Sequence, residues 1–363
     1  MTDIPDKTPL VDAPAPPRLS IAIPTYNFAA FLPATLASIL DQAIDDVDVV
    51  VVDGASTDDT PLVMAHMMKQ YPRLRYERLP AKGGIDRDMA LAVDAARGEY
   101  CWLFSADDIM KPGAIALVLR MIRSRQDLYL STHAGGNIDL APVYDALHVL
   151  RAEAGEIFDL GDTADRRRYF TAALNTEAFF SFMGTLIVKR ARWLEHELDE
   201  RFVGSCWAHA ARLLRMVEAG LTVTHIREPL LIRRGGNDSF LTAGPVKRLS
   251  LGVDGYNAIA DTIFGRSSFE AGEIRRVLRA EFSLPLLLRI KMLIADDANK
   301  DSHAELRRLV ASLGNGGTKA SLTTLAVQRT PVWLIRAMVA GNDWRRHRQS
   351  RSRQQNMTNG ALA

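Results

Sequence analysis

Short apolar runs alternate with amphipathic stretches along the first third of the chain, and that alternation predicts most of its fold. Leu19 to Ile23 reads as a first strand, halted by Pro24-Thr25-Tyr26-Asn27. A helix is expected around Ala30 to Leu40, and Val47 to Val52 is a second apolar strand ending on Asp53. Gly54 to Asp58 links it to a helix over about Thr60 to Lys69, with Thr57 or Asp58 as the natural N-cap. Leu74 to Arg78 makes a third strand. Gly83-Gly84 leads into a helix near Asp86 to Ala96, which Gly98 is expected to close as a C-cap. Tyr100 to Phe104 follows, nearly continuous in apolar residues, and reads as a strand buried on both faces. It stops on Asp107-Asp108, and Lys111-Pro112-Gly113 turns into a helix starting near Ala114.

The second half is less regular. Phe179 to Val188 is an apolar segment with Met183-Gly184-Thr185 at its kink. Arg190 to Leu198 and Trp207 to Ala219 read as helices, the second stopped by Gly220. Beyond Pro245 the pattern is helical: Leu249 to Phe264, Glu273 to Ile294 (broken at Pro285), His303 to Leu313, and a last segment opened by Thr330-Pro331. Strand, helix, strand, helix at this spacing means parallel βαβ units and a Rossmann-like sheet.

Composition narrows the class. Hydrophobic residues make up 47% and charged residues 24% of the 363, as in an ordinary folded protein. A net charge of +2 gives no case for a nucleic-acid partner. Residues 1–17 hold five prolines and no periodicity, the pattern of a disordered tail. Cys101 and Cys206 both sit among apolar neighbours and are expected as buried thiols in a reducing compartment. No apolar run reaches the roughly 18 residues of a membrane span. The chain is therefore expected in the cytoplasm. At its end, Trp333 and Trp344 with Arg345, Arg346, Arg348, Arg351 and Arg353 fit either a helix lying on an anionic membrane surface, at the inner face of the plasma membrane, or a packed C-terminal helix with a solvated tail.

The strand ends carry the chemistry. A doubly wound sheet brings the carboxyl ends of its strands to one crevice, where such sheets bind ligands. Here those ends hold Thr25, Tyr26 and Asn27, then Asp53 and Ser56, then Asp107 and Asp108. Oxygen ligands of this kind suit Mg²⁺ or Mn²⁺ bridging to substrate phosphates. No Gly-x-Gly-x-x-Gly follows the first strand and there is no Walker-type phosphate loop, which disfavours dinucleotide redox chemistry and P-loop hydrolysis.

Ile21-Ala22-Ile23-Pro24-Thr25-Tyr26-Asn27, Val52-Asp53-Gly54-Ala55-Ser56-Thr57-Asp58, Gly83 to Arg87, and Gly98 through Asp108 together resemble the family 2 glycosyltransferases of the GT-A fold. The match covers roughly residues 18 to 125, in order and spacing. Within that family, Cys101 through Ala114 is most similar to the abequosyltransferase-like branch, which adds a dideoxyhexose during O-antigen synthesis in lipopolysaccharide. Less specific echoes lie at Phe180 to Lys189, Phe202 to Ser205 and Arg234 to Ser239.

The resemblance implies an α/β GT-A fold, a mostly parallel Rossmann-like sheet flanked by helices, with a helical C-terminal extension. The domain would span 18–245, its nucleotide-binding half about 18–125 and its acceptor half about 126–245, followed by a helical region 246–363 with a basic tail. Pro24, Thr25, Tyr26, Asn27 and Ser56 would line the nucleotide-sugar pocket. Asp53 would accept hydrogen bonds from a pyrimidine base, and Arg87 would sit beside base or diphosphate. Asp107 would be the metal-binding second Asp of the family's Asp-x-Asp motif. Ser105 stands where many members have the first Asp, and Ala106 replaces an Asp common in this branch. Asp108 is the candidate to supply the missing metal ligand.

Inverting members usually carry an acceptor base just before the helix near Trp207, and this chain has no carboxylate there. His209 is the titratable candidate with a suitable pKa, Asp238 and Asp199 the alternatives. The loop Arg233-Arg234-Gly235-Gly236-Asn237-Asp238 could close over a diphosphate.

The activity so implied is metal-dependent inverting transfer of a sugar from a nucleotide-diphosphate sugar to a hydroxyl of a lipid-linked glycan. Two rivals follow from the same residues. A nucleotidyltransferase shares the sheet edge and the metal carboxylates but would want a basic, Gly-rich loop after the first strand. A catalytically silent nucleotide-sugar-binding protein would account for Ser105, Ala106 and the missing base.

Overall fold

A computed structural model describes residues 16–296, 300–314 and 318–340. Ten strands form one sheet: β1 (Leu19–Thr25), β2 (Val47–Asp53), β3 (Leu74–Arg78), β4 (Tyr100–Leu103), β5 (Ile109–Met110), β6 (Leu128–Gly136), β7 (Pro142–Leu147), β8 (Ile157–Asp159), β9 (Leu186–Lys189) and β10 (Thr222–Arg234). The main order is β3-β2-β1-β4-β9-β6-β10-β5. The first four strands run parallel, as the βαβ spacing predicts. β9 then inserts antiparallel between β4 and β6, while β6 and β10 are again parallel.

The connecting helices are α1 (Leu32–Leu40), α2 (Thr60–Gln70), α3 (Ile85–Ala95), α4 (Ala114–Met121), α5 (Thr163–Ala172), α6 (Arg190–Leu194) and α7 (Ala208–Met216). The C-terminal helices are α8 (Pro245–Ile259), α9 (Phe269–Glu281), α10 (Leu284–Leu293), α11 (Lys300–Gly314) and α12 (Thr318–Arg329), with a further helix at 332–340. α12 carries no clear apolar period and was not expected. Arg190 to Leu198 is helical only to Leu194. None of the described helices is long and apolar enough to cross a membrane.

Both faces of the sheet are covered, which is why its strands are apolar at successive positions. Ile21, Ile23, Val49, Val51, Tyr100 and Trp102 point to one layer, against α1, α2 and α4. Ala22, Val50, Val52, Cys101 and Leu103 point to the other, into a cluster shared with α3, α5, α7, α8 and α9. Cys101 is fully buried, and burial pushes its thiol pKa well up; Cys206 is half-buried, and both are free.

Gly98 does not close α3. The helix ends at Ala96 in extended conformation, and Gly98 instead lies flat against β1. A Cβ there would sit 2.5 Å from the Ser20 nitrogen. Ser20 Oγ accepts from the amides of Arg97 (3.0 Å) and Gly98 (2.8 Å) and donates to Asp48 (2.8 Å), which ties the helix exit to two strands. The residues before 16, with most of the proline-rich tail, and those after 340, with Trp344 and the arginines, lie outside the described residues.

Candidate active site at the carboxyl edge of the sheet

Because β2, β1 and β4 are adjacent and parallel, their carboxyl ends meet at one edge. Pro24 and Thr25 close β1 opposite Val52 and Asp53. Asn27 then takes a left-handed conformation (φ 62°), one that Asn tolerates better than most side chains. There it clips two loops together. Its amide donates to Ser56 Oγ (2.9 Å), and its Oδ1 accepts from the amides of Thr57 (2.7 Å) and Asp58 (3.3 Å). Asp58, not Thr57, serves the start of α2, accepting from the Thr60 amide (3.0 Å) and hydroxyl (2.6 Å).

Asp53 is fully buried and held rigidly. One oxygen accepts from the Ser56 amide (2.8 Å), the other from the Tyr76 hydroxyl (2.6 Å), with Arg78 Nε at 3.7 Å. Asp88 lies against it through Gly54, where a Cβ would meet the Asp88 carboxylate at 2.4 Å. Burial, reinforced by the Asp53 charge, raises the Asp88 pKa to about 6. Tyr26 stands at the mouth with the Lys82 ammonium 3.9 Å over its ring. Arg87 is placed differently from the expectation of a base or diphosphate contact. Its guanidinium makes a two-pronged pair with Glu200 (3.0 and 2.6 Å), joining α3 to the turn Glu200–Phe202.

The acidic pair follows β4. Asp108 is 2% exposed; its Oδ1 accepts from the Arg234 amide (2.8 Å), and its Oδ2 is buried with no hydrogen-bond partner. Burial, then the neighbouring Asp107 charge, pushes its pKa up to about 7. Asp107 is less buried. Burial raises its pKa too, opposed by a hydrogen bond from Asn237 and by the charges of Arg234 and Arg233. An orphaned buried oxygen beside a second carboxylate fits a hard cation that keeps several waters and reaches on to phosphates. It is not an all-protein cage: among the described residues no three acidic, His or Cys groups cluster as metal ligands. Ala106 contributes only its carbonyl, to Thr35 Oγ1 at 3.1 Å.

The loop after β10 folds down on this pair. Arg234 Nε donates to the Asp107 carbonyl (2.8 Å), and its guanidinium lies 4.9 Å over the Phe31 ring. Arg233 extends over the Phe182 ring instead (4.9 Å) and approaches Glu177 (3.7 Å). The three expected base candidates are placed less favourably. His209 is 3% exposed, packed against Trp207 and the backbone of Phe180 and Ser181, and burial lowers its pKa to about 4. Asp199 is bound by Arg201 (2.8 Å) and Arg215 (2.6 Å), and its hydrogen bond from Arg201 lowers its pKa to about 2. Asp238 caps Phe240 and pairs with Arg248 on α8 at 2.8 Å.

A pair that the sequence reading missed lies beside Arg233. Glu177, in the single turn Thr176–Phe179, receives His133 Nε2 of β6 at 3.1 and 3.2 Å. The available signal was Ser131-Thr132-His133, a polar triplet inside an otherwise apolar strand, whose side chains are all fully buried.

Residues 20–183 match the glycosyl transferase family 2 model. Abequosyltransferase RfbV of Salmonella typhimurium is 27% identical over 300 residues, covering 82% of this chain and 89% of that protein. The chain is a glycosyltransferase carrying a family 2 domain over residues 20–183. A second relative, the Campylobacter jejuni GalNAc(5)-diNAcBac-PP-undecaprenol beta-1,3-glucosyltransferase, is 30% identical over 105 residues, 29% of this chain and 34% of that protein. In fold the glycosyltransferase resembles S. aureus TarS 1–349 in its complex with UDP-GlcNAc, at a TM-score of 0.57 and 16% identity, covering 88% of this chain and 87% of the other. The mostly parallel sheet with C-terminal helices is thus the GT-A fold that the motifs predict.

Proposed function

We propose that this glycosyltransferase moves a sugar, of the deoxy- or dideoxyhexose class, from a nucleoside diphosphate to a hydroxyl of a lipid-linked glycan, with inversion, during synthesis of a cell-surface polysaccharide such as an O-antigen. The observation that carries the reading is the meeting at one sheet edge of Asp53, which ends β2, and the Asp107-Asp108 pair, which follows β4, two parallel strands on either side of β1. The relation to an abequosyltransferase over most of both chains supports the sugar class, and the undecaprenol-linked substrate in the second relative's name supports the acceptor class.

In this reading Asp107, backed by Asp108, would hold Mg²⁺ or Mn²⁺, which when bound neutralises the charge of the leaving diphosphate. Pro24, Thr25, Tyr26, Asn27 and Ser56 shape the nucleoside pocket, and Asp53 fixes the base. Ser105 and Ala106 stand beside the pair where other members have carboxylates. Arg234 and Asn237, which bond to Asp107, would orient the diphosphate together with Arg233 through their donors.

Thermal shift against a panel of CDP-, UDP-, GDP- and dTDP-sugars with Mg²⁺ or Mn²⁺ identifies the donor. Asp53→Ala is then expected to weaken nucleotide binding at least tenfold while changing turnover at saturation only slightly, because the contact is shared by ground and transition states. An unchanged dissociation constant puts the pocket elsewhere.

The same enzyme would work at an anionic membrane surface. Trp333 is 70% exposed and Met338 47% exposed on the last described helix, with the arginine-rich segment following in sequence. A chain ending at Ala340 is expected to lose most of its co-sedimentation with anionic vesicles, and the full chain to lose it as salt rises. Equal co-sedimentation of the two chains rules the anchor out.

A further inference from the structure

The buried pair of Glu177 and His133 has no role in the site described above, and its placement gives it one. On β10, Ile232 pairs with Ile109 of β5 on one side and with Ala134 of β6 on the other. Two residues on, the Arg234 amide holds Asp108, while the side chain of Arg233 reaches Glu177. The acidic pair and the Glu177 carboxylate therefore flank the end of a single strand. The Tyr144 ring packs edge-on to His133 at 5.9 Å, and its hydroxyl senses the charges of Glu177, Arg233 and Asp108 together. Phe182 also packs edge-on to His133, at 5.1 Å. A carboxylate held by a histidine that two aromatic rings flank, with the Arg233 guanidinium 3.7 Å away, has the chemistry to take a proton from a sugar hydroxyl.

We infer that Glu177 takes the proton of the attacking hydroxyl, and that His133 is the positioning residue that holds its carboxylate. This deepens the reading under Proposed function and rests on it. The hydroxyl oxygen bonds to the anomeric carbon of the donor sugar and its proton passes to a Glu177 oxygen. The bond from that carbon to the diphosphate breaks, and its electron pair leaves on the nucleoside diphosphate. His133 reaches the carboxylate through Nε2, and Arg233 at 3.7 Å holds the charge toward the donor side. Thr176 beside it is fixed by Glu281 of α9, whose carboxylate accepts from the Thr176 amide at 2.9 Å, so the turn carrying Glu177 is anchored at its base. His209 packs against Trp207, and both of its ring nitrogens are buried without a hydrogen-bond partner.

The test uses the full chain and whichever CDP-, UDP-, GDP- or dTDP-sugar the wild type hydrolyses fastest with Mn²⁺. Water must lose a proton as it attacks, whereas azide attacks with no proton to lose. Glu177→Gln, which keeps the size of the side chain, is expected to slow release of nucleoside diphosphate to water by about 10²–10³-fold. Its azide-dependent release, with glycosyl azide seen by mass spectrometry, should stay within a few-fold of wild type, as should nucleotide binding. Glu177→Asp should show the same split in smaller measure, and His133→Gln a roughly tenfold loss with water and none with azide. The inference is overturned if Glu177→Gln and Glu177→Asp lose water and azide turnover together, if hydrolysis persists, or if His209→Gln shows the split instead. A wild type that transfers no sugar from any donor to water or azide overturns the reading under Proposed function, and this inference with it.

Discussion

Asp107→Ala is expected to cut sugar transfer by roughly a thousandfold or more while leaving the glycosyltransferase folded. The carboxylate stands at the carboxyl end of β4, where the reading above puts the leaving diphosphate. A metal held there supplies several kcal/mol of charge stabilisation, and each factor of ten in rate corresponds to about 1.4 kcal/mol. The stability arm has the opposite sign. Burial raises the Asp107 pKa above its unfolded value, so the folded state holds this charge at a cost that grows as pH rises through that window. Without divalent metal, the neutral Asp107→Asn should therefore melt at or slightly above the wild-type temperature near pH 7.5, and the two should converge in acid. Near wild-type turnover of purified Asp107→Ala at saturating metal would remove Asp107 from the site.

Residues 18–125 were legible because their strands and their polar clusters share one signal. Each apolar run ends at a polar cluster, and parallel pairing brings those clusters together, so Thr25, Asn27, Asp53 and Asp107 could be placed before any coordinates. Leu74–Arg78 matches to the residue, and α1 to α4 start within about two residues of expectation. The part beyond residue 125 was not legible in this way. β9 and β6 pair through long-range antiparallel contacts that no local period encodes, and Glu177 meets His133 across 44 positions of sequence. His209 illustrates the opposite error. A histidine in the first turn of an amphipathic helix looks accessible in sequence, yet the packing of Trp207 and Tyr256 closes over it. Gly98 was misread for a related reason, since a glycine after a helix serves close backbone approach as readily as a C-cap.

Asp86→Ala should destabilise the fold by roughly 3–5 kcal/mol. Asp86 is the second residue of α3, yet its carboxylate serves a segment more than a hundred residues away. One oxygen accepts from the amides of Gly204 (2.8 Å) and Cys206 (3.0 Å), the other from Ala208 (3.0 Å) at the start of α7. No side chain of Trp207 caps that helix, so Asp86 supplies the acceptor that its exposed amides lack and the negative charge its dipole favours. It also holds a strained turn, with Gly204 at φ 87° and Cys206, a residue with a Cβ, at φ 71°. Alanine would strand three amides at a site that is 2% exposed on the Asp86 side, at about 1–3 kcal/mol each before relaxation. Asp86→Asn keeps one acceptor oxygen and should cost about half as much. Thermal melting should show a drop of roughly 4–7 °C for the alanine variant, and hydrogen exchange should accelerate first at residues 204–208. A melting temperature within about 2 °C of wild type would show that the turn and α7 are held by their packing alone.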